Sequence, residues 1–166
     1  MAIYMEYDSG SIAGDVTDKA FTGWIELSSF QWGIGRGITS PTSGSEADRE
    51  GSLPSVSEIV ITKNQDSASG NLMRAVCGTG DFAKGKTVKI DFVRTGSGGG
   101  SEKYLEFEME NTLVSGWSQS SGGDRPSESV TLNFTKVSFT YTPSGPTNTS
   151  NQPDTPTYDL AQQVGT

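Results

Sequence analysis

The chain has 166 residues, which suits one domain with a hydrophobic core of its own. Its net charge of −8, from 20 acidic and 12 basic residues, excludes nucleic acid as the main partner, because phosphate binding needs clustered lysine and arginine, and disfavours an anionic membrane surface. The 21 glycines and 32% hydrophobic residues favour strands and turns, and the single cysteine excludes an internal disulfide and fits folding in a reducing cytoplasm.

The N-terminus has none of the features of a secretory signal. Residues 1–8 show neither a basic start nor a continuous apolar core. No run in the chain approaches the roughly 20 apolar residues of a membrane span. We therefore expect no membrane insertion, and we expect export, if it occurs, to use another route.

Five segments show the alternation of apolar and polar residues that is typical of β-strands. They are residues 24–34, 55–63, 88–92, 103–110 and 130–141. In the first segment the apolar side chains move from odd to even positions near Ser28 and Ser29. In the last they move from even to odd positions near Thr135 and Lys136. Because a one-residue change of phase turns side chains to the opposite face, we expect a β-bulge or a strand that bends between sheets at both places.

One short helix is predicted over residues 70–77, with Ser69 as its N-cap and Gly78 closing it. Its buried face is an apolar stripe of Leu72, Met73 and Val76. A helix of this length is stable only when it docks on the sheets. Cys77, at its end, is expected to be a packed side chain rather than a nucleophile.

Three polar stretches are predicted loops: residues 33–54, 96–101 and 143–157. The first is unusually long for a compact domain, and such loops are functional or disordered. The third separates a β domain at residues 1–143 from a polar linker and C-terminal tail at residues 144–166. Within the tail, Tyr158, Asp159 and Leu160 form a short apolar tag able to dock on the domain.

Residues 80–87 match the phosphate-binding pattern G-x-x-x-x-G-K-[ST]. A true phosphate-binding loop follows a strand and opens a helix, so that the helix N-terminus faces the phosphates. Here the segment follows the predicted helix and leads into a strand. We therefore interpret its lysines as part of a solvated turn, and we expect no cofactor.

Catalytic chemistry is sparse. The absence of histidine removes Ser-His-Asp and Cys-His catalysis and the histidine-containing zinc sites. Three strand carboxylates share one face, roughly 6.5–7 Å apart, which overlaps the spacing of inverting glycosidases. They are Glu106, Glu108 and Glu110. An acidic solvent face is the simpler interpretation, and we expect no enzyme activity.

Two binding alternatives are weaker. A calcium site is conceivable near Asp48, Glu50 or Asp124, but no Asp-x-Asp-x-Asp-Gly loop accompanies these residues. The aromatic side chains of Trp24, Phe30, Trp32 and Trp117 could form a carbohydrate platform. Phe30 and Trp32, however, share the apolar parity of their strand, which favours core packing.

Several stretches together resemble one protein family. The most specific is residues 122–137, which include Asp-Arg-Pro-Ser-Glu and Leu-Asn-Phe-Thr-Lys; the others are residues 1–5, 30–37, 47–50, 54–59 and 156–160. Over about residues 1–143 and the short tail, the chain is similar to the haemolysin-coregulated protein, Hcp, the tube subunit of bacterial type VI secretion systems. One departure is Gly70, where family members often carry proline at the first helical position.

The resemblance implies a mainly β fold: a β-barrel-like pair of bent antiparallel sheets with one short α-helix, related to phage tail tubes. It implies homohexameric rings that stack into an inner tube, which a contracting sheath expels and which carries effectors in its lumen. The implied partners are further copies of the chain, sheath and spike proteins, and effector proteins. The protein would be cytoplasmic until assembly and then secreted without a signal peptide. A tail-tube subunit of a phage or phage-like contractile particle is the alternative.

Parity and resemblance together nominate the site residues. Because Phe30 and Trp32 are expected to pack inward, Gln31 must point the opposite way, and we expect it to line the lumen; solvent or a neighbouring subunit is the alternative. The loop at residues 33–54 is expected to reach a neighbouring ring. The ring-interface candidates are Arg36, Asp48, Arg49, Asp124 and Arg125.

Overall fold

The computed structural model describes residues 1–40, 51–96, 98–143 and 153–166. The described residues form twelve strands and one α-helix, in agreement with the predicted mainly β fold. In chain order the elements are β1 (Ala2–Tyr7), β2 (Ile25–Leu27), β3 (Ser29–Gln31), β4 (Ile34–Gly35), β5 (Ser55–Val56), β6 (Ile59–Asn64), α1 (Ser69–Val76), β7 (Lys86–Thr95), β8 (Ser101–Ser120), β9 (Ser127–Asn133), β10 (Lys136–Tyr141), β11 (Thr157–Asp159) and β12 (Val164–Gly165).

Ten of these strands form two bent, antiparallel leaves that share strand β8. The first leaf has the order β12-β11-β10-β8-β7-β1-β2, and the second consists of β3, β6, β9 and the C-terminal half of β8. Strands β4 and β5 pair separately as a short ribbon. Among the described residues the leaves wrap around a common core without closing into a complete barrel. The predicted pair of bent sheets is therefore confirmed.

Both predicted phase changes are corners between the leaves. Strand β2 pairs with β1 in the first leaf, and after Ser28 the chain enters β3, which pairs with β6 in the second leaf. Strand β9 lies in the second leaf and ends at Asn133, whereas β10 begins at Lys136 in the first. The change of phase therefore keeps apolar side chains facing the core as each strand passes from one leaf to the other.

A third corner, which the sequence analysis missed, lies within β8 at Asn111. In the pairing with β7, Met109 lies opposite Val88 and Thr112 lies opposite Lys86, so β8 has one residue more than its partner between these pairs. Asn111 occupies this β-bulge with a φ of +50°, a left-handed conformation that asparagine tolerates better than most residues.

The core fills the space between the leaves. Its fully buried members include Met5, Tyr7, Ile25, Ile59, Ile61, Leu72, Ile90, Met109, Val130 and Leu132. Phe30 and Trp32 pack inward as predicted, with ring centroids 4.7 Å and 5.6 Å from that of Phe107. The aromatic side chains of the two leaves therefore contact one another, which argues against a carbohydrate platform formed by Phe30 and Trp32.

Helix α1 docks on the core but differs from the prediction in three details. It starts at Ser69, so Ser69 is a helical residue rather than the N-cap, and the preceding turn is held by Asp66, whose Oδ1 accepts the Ala68 N–H at 2.9 Å. Met73 is half exposed, and Ala75 is buried beside Leu72 in its place. Cys77 is exposed, so the prediction of a packed cysteine is wrong; the helix ends at Val76, and Cys77 is its C-cap rather than part of its buried face.

The end of α1 and the chain's tail agree with the predictions. Gly78 closes the helix with a φ of +65°, a conformation that favours glycine. No helix in the described ranges is long and apolar enough to cross a membrane. The tail docks on the first leaf, where β11 pairs with β10 and β12 pairs with β11. The division of the chain at residue 143 stays a prediction.

The bulge at Asn111 yields a stability prediction. Replacing Asn111 with valine puts a β-branched side chain into a left-handed conformation, so we expect the free energy of unfolding to fall by about 1–2 kcal/mol. Asn111→Gly, which has no such penalty, is the matched control and should change it by less than about 0.5 kcal/mol. Urea unfolding measures both; equal values for the two variants would show that the left-handed bulge is not under conformational constraint.

Candidate functional site: assembly surfaces

The predicted loop at residues 33–54 is in part a β-ribbon, which we call the arm (residues 33–40 and 51–57). Ile34 pairs with Val56, and Ile38 forms a bridge to Gly51 further out. The Ser52 N–H donates to the Gly37 carbonyl at 2.8 Å. The prediction of a structureless loop is therefore wrong for these residues, because hydrogen bonds between the two sides of the arm pair its backbone groups.

The arm exposes large apolar side chains. Ile34 and Ile38 are each 52% exposed and Leu53 is 62% exposed. A two-stranded ribbon buries little apolar surface by itself, and contiguous exposed apolar residues mark interaction sites. The arm therefore leaves these three apolar side chains exposed in the single subunit.

The ring-interface candidates on the arm fall into two groups. Arg36 is held across the ribbon: its Nε donates to the Ser52 carbonyl at 2.9 Å, and its guanidinium lies so close to Gly51 that a Cβ there would be 2.4 Å from a guanidinium nitrogen. Asp48 and Arg49, together with Glu50 of the calcium alternative, lie outside the described residues. The interface role of all three interface candidates stays a prediction.

Gln31 lies on an outer face of the second leaf that carries no charged side chain in its central rows. Gln31 is exposed and is the cross-strand partner of Val60, which in turn pairs with Thr131. The neighbouring row consists of Ser29, Thr62, Ser129 and Ser118. We call these two rows the uncharged face. Gln31 therefore points away from the core as predicted, and its place in a lumen stays a prediction.

A buried ion-pair cluster lies on the inner side of the same leaf, and the sequence analysis missed it. The Nζ of Lys63 lies 2.9 Å from Glu128 Oε2 and 2.7 Å from Asp66 Oδ1, and the side chains of Lys63 and Glu128 are fully buried. Lys63 also donates to the Ser69 hydroxyl at 3.2 Å. The cluster thus ties the start of α1 to β6 and β9.

The cluster had a sequence signal. Lys63 follows Ile59 and Ile61 at the buried positions of its strand, and Glu128 precedes Val130 and Leu132 in the same way. Two opposite charges at core positions of different strands predict a buried pair, since an isolated buried charge is very costly.

The loop between β8 and β9 carries the last two interface candidates. Arg125 faces its own chain: its Nε donates to the Gln65 carbonyl at 2.7 Å. Asp124 is exposed, and its carbonyl accepts the Ser121 hydroxyl at 2.7 Å. Asp124 and Arg125 are neighbours in this loop and are distant in sequence from Gln31 and the arm. Their contact with another subunit stays a prediction.

The outer face of the first leaf is charged, in contrast to the uncharged face. Each of the three glutamates predicted to form an acidic face has a lysine partner: Glu106 with Lys103 at 2.5 Å, Glu108 with Lys89 at 3.7 Å, and Glu110 with Lys136 at 3.1 Å. The acidic face is therefore a row of ion pairs with lysines of the same leaf.

One carboxylate on this face is buried. Asp91 is 2% exposed and lies opposite Glu106 in the pairing of β7 with β8. Burial raises the pKa of Asp91 to about 7, the positive charge of Lys103 opposes this increase, and the negative charge of Glu106 adds to it. The Oδ1 atom of Asp91 has no hydrogen-bond partner within the described part of the chain.

The comparisons with known proteins address the whole fold. Residues 4–141 match the family model described as "Type VI secretion system effector, Hcp". The chain belongs to the Hcp family. No curated protein matches this Hcp-family chain in sequence.

Solved structures share its fold. One, described as a type six secretion system protein, has a TM-score of 0.85 with 20% identity and covers 99% of both chains. Hcp1 from Salmonella typhimurium has a TM-score of 0.71 with 21% identity, over 99% of this chain and 98% of the other. Hcp1 from the E. coli EAEC 042 pathovar has a TM-score of 0.70 with 20% identity, over 96% of this chain and 99% of the other.

The phosphate-binding pattern of this Hcp-family chain fails its structural context, as predicted. Gly80–Ala83 form a 3-10 turn, and the segment then enters β7 rather than a helix. The Nζ of Lys86 lies 2.9 Å from Asp8 Oδ2, and this hydrogen bond raises the pKa of Lys86. The lysine that would contact a phosphate is thus engaged by a carboxylate.

The raised pKa of Asp91 yields a prediction on pH. Because the folded-state pKa is about 7 and the ordinary value is 3.8, the folded protein binds the extra proton between these values. The contribution of this group to the free energy of unfolding is therefore present at about pH 4 and is lost as pH rises to about 7. We expect Asp91→Asn to be more stable than the wild type at pH 8 by on the order of 3 kcal/mol, with little difference at pH 4.

Urea unfolding across this pH range is the measurement. Glu110→Gln is the control, since Glu110 lies on the same strand face and is half exposed. Its pH profile should match that of the wild type. A parallel pH profile for Asp91→Asn and wild type would contradict the raised pKa of this buried carboxyl group.

Proposed function

We propose that this Hcp-family chain is a structural tube subunit that forms homohexameric rings, which stack into the inner tube of a type VI secretion apparatus. The tube is secreted when the sheath contracts, and its lumen carries effector proteins. The observation that carries this proposal is the Hcp fold over the whole chain, with a TM-score of 0.85 to a type six secretion system protein. The arm and the uncharged face, both uncovered in the single subunit, support it.

The arm serves as the contact between stacked rings in this proposal. Burial of Ile34, Ile38 and Leu53 against a neighbour would remove their apolar surface from water, which is the main driving force for association. Polar contacts that set register more than affinity would come from Arg36 and from Asp48 and Arg49 of the same predicted loop.

The uncharged face lines the lumen in this proposal. Its serine, threonine and glutamine side chains bind water and diverse cargo weakly, without the strong selection that a charged wall imposes. The charged outer face of the first leaf is less suited to that role. Gln31, exposed at the edge strand β3, would then be a lumen residue.

Asp124 and Arg125 complete the proposed ring interface. The neighbouring backbone is fixed at Gln65, whose N–H donates to the Pro126 carbonyl at 2.9 Å and whose carbonyl accepts from Arg125. A loop fixed in this way loses little conformational entropy on association. The remaining partners of the role are sheath and spike proteins, with a cytoplasmic stage before assembly and no signal peptide.

Native mass spectrometry of the full chain tests the ring. We expect a species of six times the 17.6 kDa chain mass at micromolar concentration. In a closed ring every copy uses the same two interface surfaces, so no surface is left for a further copy to join that ring. Association within a ring of the proposed size therefore ends at six copies. A spectrum of monomer alone across the micromolar range would contradict the proposal.

The arm is tested by Ile38→Ser with Leu53→Ser. Both side chains are exposed, so we expect an unchanged free energy of unfolding and intact rings, but at least tenfold fewer stacked tubes in negative-stain images. Val164→Ser is the matched control, because Val164 is 56% exposed and lies in β12, the edge strand of the first leaf, outside the arm. Tubes of normal length from the double variant would remove the arm from the ring contact.

The lumen is tested by Gln31→Arg, which adds one positive charge per subunit. We expect intact rings and altered retention of an effector in pull-down, since six added charges change the potential within the narrow lumen. Gln31→Met, similar in size and uncharged, is the control and should retain cargo as the wild type does. Failure of Gln31→Arg to form rings would place Gln31 in an interface, and unchanged retention of every effector would contradict its place in the lumen.

A further inference from the structure

A cleft of about 430 Å³ opens on the outer face of the first leaf. It lies between strands β1, β7 and β8 and the segment that joins β1 to β2. From that segment Phe21 and Trp24 form an aromatic wall, with ring centroids 5.1 Å apart in an edge-to-face arrangement. The charged residues that line the cleft are Glu6, Lys89, Asp91, Glu102, Lys103 and Glu106.

The charges of this cleft do not balance. Lys89 lies 3.7 Å from Glu108, and Glu102 lies 3.7 Å from Arg94, so these two lining residues are engaged with partners outside the cleft. Three carboxylates then face one ammonium group, that of Lys103. They belong to Glu6, Asp91 and Glu106. With all three ionised, the cleft has an excess of two negative charges.

Asp91 is the least satisfied of these carboxylates. Lys103 Nζ lies 4.0 Å from Asp91 Oδ2, which is too long for a hydrogen bond, and Lys103 is half exposed. Asp91 Oδ1 has no hydrogen-bond partner among the residues that the structure describes. Asp91 can donate a hydrogen bond to Glu106 only when it is protonated, and the two carboxylates repel each other when both are ionised, so a cation at this position would stabilise the ionised pair.

We propose that this cleft binds an arginine side chain of a partner protein. A guanidinium group has five N–H donors in a planar fork, which suits two carboxylates on neighbouring strands such as Asp91 and Glu106. Its plane also stacks on an aromatic ring, and Trp24 supplies one at the wall of the cleft. A lysine ammonium offers neither the fork nor the stacking.

The occupant is a different protein rather than a second copy of this chain. Each of the four arginines in the described ranges has a partner in its own subunit; Arg49, which the proposed ring contact uses, lies outside those ranges, and binding to monomers alone would point to it. Arg36 donates to Ser52, Arg74 to Asn71 and Arg125 to Gln65, while Arg94 pairs with Glu102. The negative cleft therefore complements an exposed arginine on a partner, and this inference does not depend on ring formation.

Binding is coupled to protonation. Besides Glu6, Lys89, Lys103 and Glu106, the side chain facing Asp91 across the strand pair is Tyr4 of β1. Because burial raises the pKa of Asp91 to about 7, this carboxyl group is partly protonated at neutral pH when the cleft is empty. A guanidinium favours the ionised carboxylate, so arginine affinity must rise as pH increases through 7.

Titration of the full chain with acetyl-arginine amide, followed by NMR, tests the proposal. We expect shifts confined to β1, β7, β8 and the Trp24 indole, and an affinity at least tenfold above that of acetyl-citrulline amide, a neutral analogue of the same shape. Affinity should be higher at pH 8 than at pH 6. Asp91→Asn and Glu106→Gln should each lose at least tenfold, whereas Glu110→Gln, outside the cleft, should bind as the wild type does.

Equal binding of the arginine and citrulline compounds, or undiminished binding by Asp91→Asn, would overturn the proposal. The amide spectrum of each variant establishes that it is folded. The titration is repeated on monomeric and ring fractions: binding to both supports a partner protein, whereas binding to monomers alone would assign the cleft to a contact between copies and overturn the partner assignment. A preparation that contains only monomer would contradict the proposed ring, but binding of acetyl-arginine amide to the cleft can still be measured on it.

Discussion

Strand β8 passes from one leaf to the other at Asn111, and both leaves are hydrogen-bonded to this single strand. The bulge at that position is where β8 leaves the pairing with β7, and it separates the outer surfaces of the two halves of the strand. Before the bulge, β8 carries Glu106 on the charged face; beyond it, β8 contributes Ser118 to the uncharged face. The left-handed residue Asn111 thus marks the boundary between the two faces along β8, and the corners near Ser28 and Thr135 are the other places where the chain passes between the leaves.

The two leaves place their ion pairs on different sides of the sheet. The first places ion pairs on its outer side, whereas the second turns its opposite charges inward, where Lys63 and Glu128 join helix α1 to the sheet. A buried ion pair of this kind adds little net stability, because desolvation offsets the attraction, but breaking it is strongly destabilising. Its effect is to fix the position of the helix and keep these two charges away from the central rows of the outer side, where the nearest carboxylate is that of Glu58 at the end of the leaf.

Side-chain alternation made most of the fold predictable. The changes of phase at Ser28 and Thr135 located two corners, because a strand that changes leaf must change the parity of its apolar residues. The corner at Asn111 was missed because Leu113 and Val114 are adjacent apolar residues, so either parity fits; the structure exposes Leu113 and buries Val114.

The surfaces were harder to predict for physical reasons. The direction of Gln31 followed from its neighbours, but the pairing of the arm depends on residues about 20 positions apart. The raised pKa of Asp91 depends on Glu106 and on burial beneath a distant segment, which no local pattern reveals. The exposure of Met73 and Cys77 depends on where a short helix meets the sheet, which periodicity alone does not determine.

The most direct measurement is a cryo-electron microscopy map of the assembled particle in which side chains are resolved. We expect closed rings of six subunits, with the uncharged face and Gln31 on the inner wall and the arm between successive rings. An open helical arrangement, or an inner wall formed by the charged face of the first leaf, would contradict this expectation.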